Sequence, residues 1–229
     1  MKLILLPGMD GTGDLFAPIV PHLSDRYSLE IISYPRDRFL DYTALIAYVK
    51  ECLPTTESYL LLAESFSGTI AYQIAQQQPD GLKGVIFVST FLENPRPLLG
   101  KLLPFVPMKR IFGWRIPKFV VKRLLLDMNV DETQVSLIQQ CIAILPPDIL
   151  YQRLQAVVQL QQPRERIELP CIYLQASHDH LVPKGSFASL AEWIPHIVLH
   201  EVSGGHLLLQ SNPEECVKII NDYLPKDIA

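Results

Sequence analysis

The sequence predicts an α/β protein: a mostly parallel sheet of about six strands, helices on both faces, and one helical insertion. Three observations predict it. Short apolar or β-branched runs alternate with stretches whose apolar residues recur every three to four positions, the two periodicities of strand and helix. Those runs are of the kind found in strands buried on both faces, which points to parallel pairing with crossover helices. Between about Glu93 and Glu168 the alternation stops and prolines recur, at 95, 97, 104, 107, 117, 146, 147 and 163.

Taken in order, the strands fall at residues 2–6, 29–34, 59–63, 84–89, 171–175 and 197–202. Helices are expected at 41–53, where Tyr42, Leu45, Ile46 and Val49 share one face, and at 67–78, 184–194 and 213–224. The core is therefore drawn as 1–93 and 168–229, with 94–167 as a cap. Inside the cap, helices are expected at 117–126, 131–145 and 148–161, with Asp131 and Asp148 near two of the starts.

With 229 residues, 48% of them hydrophobic, the chain can bury a sizeable core as one domain with an insertion. Its net charge of −4 gives no basic character of the kind that marks a nucleic-acid binder. Cys52, Cys141, Cys171 and Cys216 show neither a Cys-x-x-Cys pair nor a Cys/His metal spacing, so the expectation is a reduced, cytoplasmic protein without a metal. Pro7-Gly8 stops the apolar run 3–6 before it reaches signal-peptide length. No charge-free run of eighteen apolar residues occurs, which argues against a spanning helix.

The third apolar run leads straight into Glu64-Ser65-Phe66-Ser67-Gly68 and then into a helical pattern. A strand-to-helix turn this tight would hold Ser65 in a strained conformation, with small neighbours demanded two residues before and after it. Ala63 and Ser67 meet that demand, Gly68 lets the helix approach the sheet, and Phe66 offers a backbone N–H to a developing oxyanion. A serine at a helix start also reads as an N-cap. Ser67 is a rival nucleophile, although moving the frame by two would put β-branched Thr69 where a small residue is needed.

A serine hydroxyl needs a histidine base, and the base needs an acid to fix its tautomer. Strand 171–175 is followed by Asp179, and strand 197–202 by Ser203-Gly204-Gly205-His206. Both residues fall on loops beyond strand carboxyl ends, the edge where sites of open α/β sheets gather. Either could serve only as a turn or helix-start residue. The chain order Ser65, Asp179, His206, each after a separate strand, favours the catalytic reading. After the first strand, Pro7-Gly8-Met9-Asp10-Gly11-Thr12-Gly13 supplies glycines for close backbone approach, with Met9 N–H as a second oxyanion donor. A phosphate loop is disfavoured because no Lys-Ser/Thr follows Gly13.

As a set, Pro7-Gly8-Met9-Asp10-Gly11, Ala63-Glu64-Ser65-Phe66-Ser67-Gly68, Asp179-His180-Leu181-Val182-Pro183 and Gly204-Gly205-His206 make the chain resemble an α/β-hydrolase fold protein. The resemblance covers nearly everything outside the cap. It implies a fold trimmed of its usual first two strands, an insertion that forms a lid over an acyl pocket, and a carboxylesterase with acyl thioesterase as the alternative. An acyltransferase or a non-catalytic ligand-binding protein on the same fold are the remaining competitors. Ala63 and Ser67 replace the glycines usual in the family, and Pro7 replaces a histidine. Glu93 is an alternative acid. His178 and His180 flank Asp179 without a metal-site pattern, His22, His196 and His200 read as surface or strand-end residues, and Trp114 and Trp193 as packing anchors.

Residues 94–126 hold eight basic side chains and no acidic one, so the rest of the chain carries −12. They are interleaved with Leu98, Leu99, Leu102, Leu103, Phe105, Phe112, Trp114 and Phe119. Such a segment suits an acidic carrier protein or an anionic membrane surface that presents an acyl group; a solvated helix face is the plainer reading.

Overall fold

The computed structural model describes residues 1–102, 105, 107, 111, 116–127, 130–161 and 165–223. The chain runs β1 (Lys2–Leu6), α1 (Val20–Leu23), β2 (Ser28–Ile31), α2 (Tyr42–Cys52), β3 (Tyr59–Glu64), α3 (Gly68–Gln76) and β4 (Leu82–Val88). Among the described residues there follow α4 (Pro97–Leu102), α5 (Lys118–Leu124), α6 (Glu132–Ile144) and α7 (Pro147–Val158). The sheet then resumes with β5 (Cys171–Ala176), α8 (Gly185–Trp193), β6 (Val198–Val202), α9 (Leu208–Ser211) and α10 (Pro213–Tyr223).

The six strands lie in the order β2-β1-β3-β4-β5-β6, and every neighbouring pair is parallel. Strand periodicity sorts their side chains into two layers. Ile4, Leu6, Leu61, Ala63, Val85, Phe87 and Tyr173 pack with Leu45 and Val49 of α2, Ile70 and Ile74 of α3, and Leu190 of α8. Leu3, Leu5, Leu60, Leu62, Ile86, Val88, Ile172 and Leu174 face Phe16, Leu23, Leu208, Val217 and Ile220 on the other side. Each fully buried Leu or Ile is worth roughly 1.5–3 kcal/mol, which is why the inner strands are apolar throughout while the edge strands β2 and β6 are largely open. A third cluster joins the insertion to the core through Leu15, Val121, Leu126, Val135, Ile138, Cys141 and Leu207.

Parallel register does the work of assembling a site. Leu6 pairs with Ala63, Glu64 with Val88, and Ala176 with Val202, so the loops after β1, β3, β4, β5 and β6 all leave the same edge.

Elements differ from expectation in several places, among them β2, β4 and α4. β2 ends at Ile31, because Tyr34 N–H donates to Gly11 O at 2.7 Å and draws the chain toward the β1 loop. β4 starts two residues early, at Leu82, where a register shift between Tyr59 and Leu60 lets Leu82 pair with Tyr59. α4 was not expected in the proline-rich stretch; its first residue is Pro97, whose missing N–H costs nothing at a helix start. Asp131 does cap α6, accepting from Thr133 N–H at 3.2 Å, whereas Asp148 lies in the first turn of α7. Trp193 packs against the core, and Trp114 lies outside the described residues.

Candidate active site

Ser65 follows β3 directly and has φ 50°, a left-handed conformation that costs a non-glycine about 1–3 kcal/mol and persists only where its surroundings fix it. Thr90, beyond β4, supplies part of that restraint by donating its hydroxyl to the Ser65 carbonyl, and Thr90 O is in turn held by Tyr173 Oη at 3.0 Å. The fit is close enough to dictate Gly68. A β-carbon there would sit 1.8 Å from Thr90 Oγ1.

From the loops after β5 and β6, Asp179 and His206 converge on this serine. His206 Nδ1 lies 2.8 Å from Asp179 Oδ2, and His206 Nε2 lies 2.8 Å from Ser65 Oγ. With Nδ1–H donating to the carboxylate, Nε2 is left to accept the serine proton. The other carboxylate oxygen, Asp179 Oδ1, accepts from the N–H groups of Leu181 and Val182, each at 2.8 Å, so the acid is fixed independently of the histidine. Both side chains are 5% exposed. Burial pushes the Asp179 carboxyl up, but His206 and the two N–H donors outweigh it and hold the group below its ordinary value. Burial pushes His206 down; the charge and hydrogen bond of Asp179, with a smaller contribution from Glu64, carry it above its ordinary value.

The alternatives are placed elsewhere. Ser67 is fully buried, donates to Pro7 O and meets Tyr34 Oη, so its hydroxyl is used to hold the β1 loop. His206 Nδ1 pairs with Asp179 and not with Glu93. His178 lies 3.6 Å from Asp127, His180 meets Arg123, and no group of His, Cys, Asp and Glu among the described residues could hold a metal.

The β1 loop lies against Ser65, since a β-carbon on Gly8 would stand 3.8 Å from Ser65 Cβ. Gly8 O accepts from Gly11 N–H at 3.0 Å, and in a trans peptide this turns the N–H of Met9 to the opposite side. Arg153 of α7 fixes the rest of the loop. Its guanidinium donates to Met9 O and Asp10 O, both at 2.8 Å, and to Pro35 O at 3.3 Å, while 2% exposed. Gly11, at φ 67°, has no room for a β-carbon because Arg153 Nη1 would be 2.4 Å from it. Phe66, the other expected oxyanion donor, is buried at the start of the turn into α3, with its ring stacked 4.7 Å from Tyr42.

The insertion also touches the His206 segment. Leu207 N–H donates to Leu125 O at 2.8 Å, and a β-carbon on Gly205 would lie 1.7 Å from Leu126 O, so the residues on either side of His206 are seated on the end of α5. Three neighbours of the site were missed in the sequence. Arg153 is legible as an arginine on the buried stripe Ile149, Leu150, Val157, and Glu64 as the one charge in strand 59–64. Thr90 carries no local signal.

A family model described as serine aminopeptidase, S33, matches residues 33–205, about three quarters of the chain. The chain belongs to this family. The match includes Ser65 and Asp179 and ends one residue before His206. Solved structures agree on the α/β-hydrolase fold: an enol-lactonase from Burkholderia xenovorans LB400 has TM-score 0.80 at 14% identity, over 97% of this chain and 90% of that one. A thermophilic esterase from Thermogutta terrifontis has TM-score 0.77 at 17% identity, over 100% and 90%. Among curated proteins, a pyrrolizixenacetamide deacetylase from Xenorhabdus hominickii is 31% identical over 67 residues, which is 29% of this chain and 25% of that protein. At such low identities the solved structures establish the fold of this hydrolase, and its chemistry rests on the site.

Proposed function

We propose that this hydrolase cleaves carboxylic esters with an apolar acyl group through Ser65, His206 and Asp179. One observation carries the reading: the unbroken chain from Asp179 through His206 to Ser65 Oγ, two contacts of 2.8 Å ending on a serine in a strained turn. Ser65 Oγ attacks the carbonyl carbon while His206 Nε2 takes its proton, and the carbonyl oxygen becomes an oxyanion facing the N–H groups of Met9 and Phe66. Collapse expels the alcohol, protonated by His206, and leaves an acyl-enzyme. Water, deprotonated by His206, then attacks the acyl carbon and releases the acid and free Ser65. Asp179 keeps the imidazole oriented throughout. Nothing in these steps calls on a cofactor or metal.

The solved neighbours include a lactonase and an esterase, which supports an ester carbonyl; the partial match to a deacetylase would extend the same steps to an amide. A thioester differs only in its leaving group. A panel of p-nitrophenyl esters of rising chain length, a lactone and an acyl thioester, run on wild type and Ser65→Ala, tests the reading. Hydrolysis of none of them by folded wild-type protein would sink it.

Residues 94–167 act in this reading as the lid. Among its described residues Leu98, Phe105 and Phe119 are exposed, as is Lys101, a combination suited to an anionic bilayer that presents lipophilic esters. Lys118 and Lys122 pair with Glu132, at 2.6 and 2.8 Å, which leaves less free charge for any anionic partner, so the preference for lipid over an acidic carrier protein rests on the exposed apolar side chains.

A further inference from the structure

Glu64 immediately precedes the nucleophile and is completely buried. It ends β3 on the same face as Leu60 and Leu62, so its side chain enters the layer formed with α9 and α10. Its neighbours define a polar pocket behind the site. Glu64 Oε2 accepts from Gln210 Nε2 at 3.4 Å, and a β-carbon on Gly8 would lie 3.8 Å from Glu64 Oε2, 3.8 Å from Ser65 Cβ and 3.5 Å from Asp10 Oδ1. The carboxyl therefore borders both the nucleophile and the loop expected to hold the oxyanion. Two buried acceptors in the pocket, Glu64 Oε1 and Gln210 Oε1, have no donor among the described residues. A proton on Glu64 would supply one.

The titratable groups facing it are Asp10 from the β1 loop, His206 from the β6 loop and Cys216 from α10. Burial, then Asp10, pushes the Glu64 carboxyl up to about 7, against opposing effects of His206 and Gln210. Cys216 is pushed to about 12 by burial and stays a neutral thiol. Glu64 and His206 are therefore coupled, and each group's charge stabilises the opposite charge on the other.

Resting on the serine-hydrolase reading above, we infer that Glu64 is a positioning residue that acts through His206. Its carboxylate, when ionised, favours the imidazolium formed as Ser65 gives up its proton. Asp179 fixes the ring from one side, while Glu64 makes the strength of the base depend on a second, buried proton. The consequence is an acid limb that reflects two coupled protonations, where one histidine would give a single step. A glutamate kept only to fill space would leave the pH profile untouched.

The experiment is kcat and KM against pH, with a neutral p-nitrophenyl ester, for wild type, Glu64→Gln and Gln210→Met, with thermal melts to establish folding. In wild type the acid limb of kcat/KM should fall over two proton steps. In Glu64→Gln it should fall over one, with its midpoint lower by about half a unit to one unit and the plateau kcat about 3- to 10-fold lower at unchanged KM. Gln210→Met removes the amide donor to the carboxylate and should move the limb the opposite way, to higher pH. A Glu64→Gln profile superimposable on wild type overturns the proposal. If that variant does not fold, an unmoved limb in Gln210→Met does so. Fluorophosphonate labelling of Ser65→Ala separates the two readings: persistent labelling overturns the serine-hydrolase assignment, whereas its loss alongside an unmoved limb overturns the role of Glu64 alone.

Discussion

Arg153 Nη1 donates to the carbonyl of Met9 at 2.8 Å, so α7 grips the loop that borders Ser65 across 144 positions of sequence. The same nitrogen holds Asp10 O, and among the described residues no carboxylate pairs directly with the guanidinium; backbone carbonyls and the Tyr34 ring, 5.7 Å from its central carbon, lie around it. Arg153→Met leaves these carbonyls without their donor, at about 1–3 kcal/mol for each that stays dry. The expected result is a lower melting temperature and a fall in kcat/KM on the order of 10²-fold as the loop shifts. Wild-type kinetics in the folded variant would show that the loop holds its own shape.

Ser65 and Ser67 should separate cleanly. Ser65→Ala is expected to lose fluorophosphonate labelling and to lower ester turnover by about 10⁴-fold or more. Ser67→Ala removes a buried donor to Pro7 O and the partner of Tyr34, so it should keep labelling while losing about 1–3 kcal/mol of stability. Labelling that follows Ser67 would reverse the assignment.

The pH response has a definite sign. His206 acts as a base only when neutral, and its folded value is raised, so activity should fall as pH drops through a midpoint above 6.5, the ordinary histidine value. Its stabilising contribution is full below 6.5 and fades as pH rises through the raised folded value. Asp179 behaves in the opposite sense: its folded value is depressed, so its contribution is present above the unfolded carboxylate value and lost as pH falls through the folded one. Asp179→Asn should cut kcat by about 10⁴-fold by presenting the wrong tautomer. An acid-limb midpoint at or below 6.5 in wild type would contradict the geometry.

Gly205→Ala tests the seating of the base. The added carbon would meet Leu126 O at 1.7 Å, and backbone cannot move aside as a flexible side chain can. A loss of about 1–3 kcal/mol is expected, together with lower kcat as His206 is displaced. Chemical denaturation with parallel kinetics reads both, and a stable, fully active variant would show that α5 does not constrain the histidine.

Binding to vesicles addresses the proposed lid. Phe119→Glu should weaken co-sedimentation with phosphatidylglycerol vesicles while sparing hydrolysis of a short soluble ester, and raised salt should weaken binding in wild type. Equal recovery with neutral phosphatidylcholine vesicles, or salt-sensitive turnover of an acyl group on an acidic carrier without vesicle binding, would count against a bilayer.

The apolar runs and their spacing made the parallel sheet legible, because a strand buried on both faces has little freedom in its composition. β3 reads Tyr59-Leu60-Leu61-Leu62-Ala63 for that reason, and its position was found to within one residue. The edge strand β2 was overdrawn because Ile32 and Tyr34 are buried, as strand residues would be, yet Tyr34 bonds to Gly11 O in the neighbouring loop. Composition records burial and says nothing of which backbone group accepts the hydrogen bond. Helix α4 escaped notice because prolines read as breaks, although one of them opens the helix.

The sequence by itself determined the fold class and the order in which Ser65, Asp179 and His206 follow their strands. Those are local properties, set by periodicity and by which residues tolerate a tight turn. Only the folded arrangement shows where each serine hydroxyl points: Ser65 to His206 Nε2, Ser67 to Pro7 O. It alone brought Arg153 to the Met9 carbonyl and Glu64 to the back of the pocket. These contacts join residues 60 to 146 positions apart, and whether a polar side chain there is surface, strut or part of a site depends on what the fold places against it.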